Sequence, residues 1–225
     1  MDFTFGIVTS SATEKSIPIV LNSIFSLCIP SFEIILVGGD YNETGLIPQF
    51  THIPFDEQEK RGWITKKKNL ITEHAKYDNI VYMHDYIFFD DNWYQGFLDM
   101  EDDWDVCMNV INNQNGTRYR DWCTWDDPEF GHPWVCTEKW CGSGMHFQGK
   151  ARLIPYDYDK TQHMYISGAY WVAKKHVMES CPLNEGLVWG EGEDVEWSIR
   201  MRDKYKYKMN TKSSVTLMKQ KSVVI

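Results

Sequence analysis

An α/β fold, with a mostly parallel central sheet flanked by helices, is predicted by three observations. Apolar runs alternate with helically spaced segments through the first hundred residues. The runs are continuously apolar, as strands covered on both faces require. Each also ends in glycine or polar residues, so the polar ends gather at one edge of the sheet.

The elements follow in order. "FTFGIVT", Phe3 to Thr9, is the first strand, and Ile17, Val20, Leu21, Ile24 and Cys28 then recur at helical spacing. "FEIILVGGD", Phe32 to Asp40, is a second strand whose glycines allow a tight turn or close approach of a ligand. A helix from Trp63 to His74 feeds a third strand, Asn79 to Met83, which runs into His84 and Asp85. Asp90 and Asp91 are expected to cap a following helix through Trp93. From Glu101 to Tyr165 the sequence is rich in Trp, Asp and Gly without a clear period, the pattern of a binding insertion or of short strands. "MYISGAYWVAKKHVME" reads as strand, turn and helix. "GEGEDVEWSIRMRDKY" opens a helix with acids at its positive end and Arg200, Arg202 and Lys204 toward the other. The tail, 213–225, reads as peripheral.

Composition narrows the function. With 225 residues, 43% hydrophobic, the chain can bury a full core as one domain. A net charge of -9 argues against a nucleic-acid or anionic-membrane surface, both of which need clustered Lys and Arg. No apolar run approaches the ~18 residues of a membrane span, and no basic-then-apolar leader opens the chain, so a soluble, cytoplasmic protein is expected. The six cysteines lack CxxC pairs and read as free thiols, although "HPWVCTEKWC" with Cys123 leaves a zinc site open.

In an open parallel sheet the ligand lies beyond the carboxyl ends of the strands. Thr9 and Ser10, Gly38 to Asp40, and His84 with Asp85 all fall there. Asp85 either caps a surface turn or meets a cation, because an unpaired charge at a buried strand end is costly. The basic run Lys66, Lys67, Lys68 is either a solvated face or a phosphate contact. The acids Glu191, Glu193 and Asp194 either stabilise a helix start or act chemically. Trp122, Trp125, Trp134, Trp140 and Tyr156 offer either core packing or faces for stacking sugars.

Together, "FEIILVGGD", "KKKNLITEHAKYDNIVYMHDY", "SGAYWVAKK" and "WGEGEDVEWSIR" resemble the nucleotide-sugar glycosyltransferases of the GT-A fold. The likeness is to family-2-like enzymes, to the galactosyltransferase group and to glycosyltransferases of chlorella-infecting DNA viruses. It implies one GT-A, Rossmann-like domain over 1–212, with a nucleotide-sugar-binding half (1–100) and an acceptor-binding half (101–212).

The resemblance further implies a metal-dependent transfer of a hexose, glucose or a deoxyhexose such as rhamnose, from a UDP-sugar to a saccharide or glycoprotein glycan in viral glycan synthesis. "His84-Asp85-Tyr86" stands where the family has its Asp-x-Asp motif, which makes Asp85 the Mn²⁺ or Mg²⁺ ligand and His84 its helper. Thr9, Ser10, Asp40, Arg61, Lys68 and Asn69 fall at donor-binding positions. Trp189, Gly190 and Glu191 fall at acceptor-binding positions, and Asp194, with Glu193, at that of the catalytic carboxylate. The sequence departs from the pattern in having Gly38-Gly39 before Asp40 and no histidine after His176. A sugar-nucleotidyltransferase and a non-catalytic saccharide-binding module are the alternatives.

Overall fold

The computed structural model describes residues 1–10, 16–41, 49–130 and 151–222. Its first half is the predicted alternation of β1 (Phe3–Val8), α1 (Ser16–Ser26), β2 (Phe32–Val37), α2 (Ile64–His74) and β4 (Asn79–His84), with one strand that was not anticipated, β3 (Phe50–Ile53), between β2 and α2. After these come β5 (Ile87–Phe89), α3 (Trp93–Leu98) and β6 (Val106–Asn112). The short strands β7 (Cys123–Thr124) and β8 (Arg152–Leu153) pair with each other. The chain continues through β9 (Tyr170–Lys174), α4 (Lys175–Ser180), α5 (Glu193–Met201) and β10 (Tyr207–Leu217). The main sheet has the order β3-β2-β1-β4-β9-β6-β10-β5. Strands β3, β2, β1 and β4 run parallel, and β9 is antiparallel to both β4 and β6.

Every residue of β1 is buried, as its unbroken apolar run demands. Gly6 lets α2 lie directly on this strand, since a Cβ there would stand 2.3 Å from Cγ2 of Ile71. The sheet curls strongly. Laid flat, β5 would sit five strand spacings from β1, about 24 Å away. Instead the Phe89 ring lies 5.2 Å from the Phe5 ring. Trp93 and Phe97 of α3 close this cluster, with ring centroids 4.9 and 5.2 Å from Phe3. Each such buried aromatic stabilises the fold by roughly 1.5–3 kcal/mol.

Two expectations are corrected. Residues 213–217, expected to be peripheral, belong to β10, where Ser213, Val215 and Leu217 are buried. The strand pairs with both β6 and β5, and its apolar positions alternate, the pattern of a half-covered strand. The Asp90 side chain does not cap α3. It accepts hydrogen bonds from Ser214 Oγ (2.6 Å) and Thr216 Oγ1 (2.9 Å), tying β10 to the turn before the helix. Among the middle aromatics, Trp122 and Trp125 are core, whereas Trp134 and Trp140 lie outside the described residues. So do Cys136 and Cys141 of the possible zinc motif, while Cys28, Cys107, Cys123 and Cys181 are free thiols.

Candidate active site

Parallel register brings the strand ends together: Val8 of β1 is level with Val37 on one side and with His84 on the other. The next residue on each strand therefore opens onto one crevice. Thr9 Oγ1 donates to Asp85 Oδ2 at 2.7 Å, which fixes the carboxylate at the end of β4. Ser10 and Asp40 are exposed at the rim, beyond β1 and β2. Gly38 has φ +92, and a Cβ there would meet the Thr9 carbonyl oxygen at 2.4 Å, so only glycine fits this approach of the two strand ends.

The basic run on α2 divides by helical geometry. Lys66 faces outward to Glu185 at 3.3 Å. Lys67 is buried and donates to the Thr9 carbonyl at 2.6 Å and to Glu57. Lys68 is also buried and points into the crevice, where Nζ donates to the Gly168 carbonyl at 3.0 Å and lies 4.3 Å above the Trp171 ring. Asn69 is engaged elsewhere: its amide bonds the Leu183 carbonyl and Glu185, and its oxygen accepts from Leu183 N–H. It anchors the loop 183–191 instead of facing the diphosphate expected from the resemblance. Arg61 is exposed just before α2.

That loop carries Trp189, Gly190 and Glu191. It is pinned to α2 by Thr65 Oγ1 donating to the Leu187 carbonyl at 2.7 Å, and to the turn before α2 by Trp189 N–H donating to the Gly62 carbonyl at 2.8 Å. Trp189 is left 68% exposed, which leaves a large flat side chain available for stacking on a ligand. Gly190 and Gly192 take φ of +88 and +70, bending the chain into α5. Glu191 Oε2 accepts the Val188 N–H at 2.9 Å, closing this turn.

The centre of the crevice is a residue that sequence reasoning did not single out, Gly168. Its N–H donates to Asp194 Oδ2 at 2.8 Å while its carbonyl accepts from Lys68. The adjacent Ala169 carbonyl accepts from the His84 N–H at 3.1 Å. One glycine turn thus connects the end of β4, the cation on α2 and the acids on α5. The signal lay in "SGAY", where a glycine and an alanine precede a strand of bulky residues. Asp194 also accepts its neighbour Val195's N–H and remains half-buried. Glu193 is buried, and burial together with the Asp194 charge pushes its carboxyl up to about 7, against the pull of Lys68. Burial likewise lowers Lys68, opposed by Glu193 and Asp194.

The chemistry of the donor set decides how a divalent cation would fit. Asp85 supplies hard carboxylate oxygen, suited to Mn²⁺ or Mg²⁺ that takes its other ligands from diphosphate and water. His84 fits less well. Burial and the charges of Lys68, Lys221, Lys219 and Lys67 hold its imidazole neutral, and an incoming cation would meet the same lysines. Among the described residues no group of three or more His, Cys, Asp or Glu is placed to hold a metal.

Comparison with solved structures gives the class of fold. The chain is similar to S. aureus TarS in complex with UDP-GlcNAc, with TM-score 0.62, 14% identity, and 99% of this chain and 60% of that one covered. It is similar also to GalNAc-T7 with UDP, GalNAc and Mn²⁺, with TM-score 0.59, 15% identity, and 99% and 46% covered. A longer TarS structure matches at TM-score 0.62 and 12% identity, over 96% of this chain and 36% of that one. The fold is that of the GT-A glycosyltransferases. The chain spans three fifths or less of the length of these structures. No protein-family model and no curated protein matches the sequence.

Proposed function

We propose that this chain is a glycosyltransferase that moves a hexose from a UDP-sugar to a saccharide acceptor. The observation that carries the reading is the meeting of Lys68 and Asp194 on Gly168, with Asp85 held by Thr9 at the adjoining end of β4, at the strand ends where an α/β sheet binds its ligand. It is supported by a fold shared with proteins whose structures hold UDP or UDP-GlcNAc. Glucose is the proposed sugar, with rhamnose second. The host cytoplasm and a role in viral glycan synthesis belong to the proposal through the resemblance alone.

Donor nucleoside lies over Thr9, Ser10 and Asp40, and Trp189 stacks on the acceptor. When bound at Asp85, a divalent cation neutralises charge on the leaving diphosphate as a Lewis acid. Thr9 orients the Asp85 carboxylate for that task. Sugar hydroxyls are poor nucleophiles near neutral pH, so an inverting transfer needs a carboxylate to take the proton. Asp194 is the accessible one, and Glu193 lies behind it, too buried to meet the acceptor. A retaining transfer gives Asp194 an orienting role instead; the anomer of the product, read by NMR, separates the two.

Calorimetry with UDP, with and without Mn²⁺, and a donor-hydrolysis screen test the reading. UDP binding and slow sugar release that Asp85→Ala abolishes support it. Undiminished metal-dependent turnover in a folded Asp85→Ala protein removes Asp85 from the metal site. An absence of nucleotide binding favours the saccharide-binding module.

A further inference from the structure

Beyond Leu217 the chain turns back over the crevice instead of leaving it. Met218 N–H donates to the Tyr86 carbonyl at 2.8 Å. Asn113 then grips Lys221 by both backbone groups: its oxygen accepts the Lys221 N–H at 2.8 Å and its amide donates to the Lys221 carbonyl at 3.0 Å. This clamp holds two ammonium groups over one ring. Lys219 Nζ lies 3.7 Å from the Tyr86 centroid, and Lys221 Nζ lies 4.3 Å from it while donating to the Tyr86 hydroxyl at 2.5 Å. Tyr86 in turn stacks on His84, centroids 5.2 Å apart and planes within 10°. Two lysines thus stand on an aromatic pile whose base is the end of β4, beside Asp85.

Such crowding is unfavourable without an anion. Cation–π contact contributes only ~0.5–2 kcal/mol per pair, and like charges at close range oppose one another. Burial, then Lys219 and Arg120, push Lys221 down to about 8, while the Asp194 carboxylate pulls the other way. Lys221 therefore senses the same crevice as Asp194, and the charge of Lys68 reaches it there as well. The acids whose charges reach Tyr86 beneath the two lysines are Asp85, Glu193 and Asp194, and the first and last of these are engaged by Thr9 and Gly168. In a chain of net charge -9, Lys68, Lys219 and Lys221 come together around this crevice, the pattern of a local anion site rather than of a basic surface.

We propose that Lys219 and Lys221, delivered by the segment after β10, bind the diphosphate of the nucleotide donor together with Lys68, so that ammonium groups supply charge neutralisation at the place where a protein with fewer metal ligands needs it. The inference rests on the proposed donor chemistry but extends to any diphosphate. It accounts for a crevice that offers a cation one well-placed carboxylate and a histidine surrounded by lysines. Nucleotide binding then has a component that survives removal of metal and weakens with salt.

Titration calorimetry of the full chain in EDTA tests this, using UDP, inorganic diphosphate and uridine as separate probes. Removing each charge-assisted contact is expected to weaken UDP and inorganic diphosphate about tenfold or more, leaving uridine unaffected. Lys219→Gln, at an exposed position, and Lys221→Met, which keeps the contact with Tyr86, are the variants; Lys221→Arg should restore binding. Equal affinities for both diphosphate probes in wild type and the double variant, with unchanged melting temperature, overturn the proposal, as does wild-type binding of neither probe without metal. Lysine-dependent binding of inorganic diphosphate by a protein that ignores UDP upholds the cluster and overturns the donor assignment instead.

Discussion

Gly168→Ala is the substitution that most directly probes how the crevice is held together. The alanine Cβ would stand 2.7 Å from Asp194 Oδ2 and 3.1 Å from its Cγ, closer than real contacts allow. Gly168 does not adopt a positive φ, so space alone opposes the change. Relief to an ordinary contact near ~3.4 Å moves the carboxylate by about 0.7 Å, which stretches the 2.8 Å bond from the Gly168 N–H beyond hydrogen-bonding range. A hydrogen bond to a charged group is worth ~1.5–3 kcal/mol, so a loss of about 2 kcal/mol and a fall in melting temperature of about 4–8 °C are expected. Transfer to acceptor should fall at least about tenfold while UDP affinity, read by calorimetry, holds. Asp194→Asn should show the same split between transfer and UDP binding. The control is Gly116→Ala, where nothing lies within 4 Å: it strains the backbone but should leave transfer untouched. A Gly168→Ala protein with wild-type stability and wild-type transfer would refute the link between this turn and Asp194.

The remaining expectations concern the acid pair and the closure of the sheet. Because Glu193 is raised to about 7 from 4.5, the folded state holds its proton more tightly than the unfolded chain. Its contribution is therefore complete below about pH 4.5 and fades as pH rises to 7, a decline of about 3 kcal/mol at ~1.4 kcal/mol per unit. Urea melts across that range should show a shallower fall for Glu193→Gln, and an identical slope would place the titration elsewhere. Gly96→Ala sets helix propensity against space. Alanine gains ~1 kcal/mol inside α3, but its Cβ would stand 2.6 Å from the Lys212 carbonyl carbon and oxygen, which are backbone and have little room to retreat. A net loss of about 2 kcal/mol is expected in chemical denaturation, and a stabilised variant would show that β10 does not press on α3 as described.

Much of the fold was legible because local pattern and burial agree in its first half. The continuous runs of β1, β2 and β4 have one stable environment, between helices, and their polar ends mark the crevice by the direction of parallel strands alone. The glycines before α5 were legible too: Gly190 and Gly192 both have the positive φ that glycine tolerates best. Less was legible in the short elements. Asp90 resembled a helix cap because it precedes α3, yet two hydroxyls more than 120 residues later in the chain claim its carboxylate. Asn69 sat in a basic run that suggested phosphate, but helical rotation turns it toward Leu183 and leaves Lys68 to face the crevice.

By itself, the sequence determined the α/β class and the strand ends that meet, because periodicity is a local property, while Asp85 and Asp194 entered as candidates through resemblance to a family. Only the tertiary structure decided what surrounds them. The curl that brings Phe89 onto Phe5, the two-sided grip of Asp194 and Lys68 on Gly168, and the return of Lys219 and Lys221 over Tyr86 join residues far apart in the chain. No window of sequence contains such a pair. Its energy arises from burial and charge in a shared space that exists once the sheet has closed.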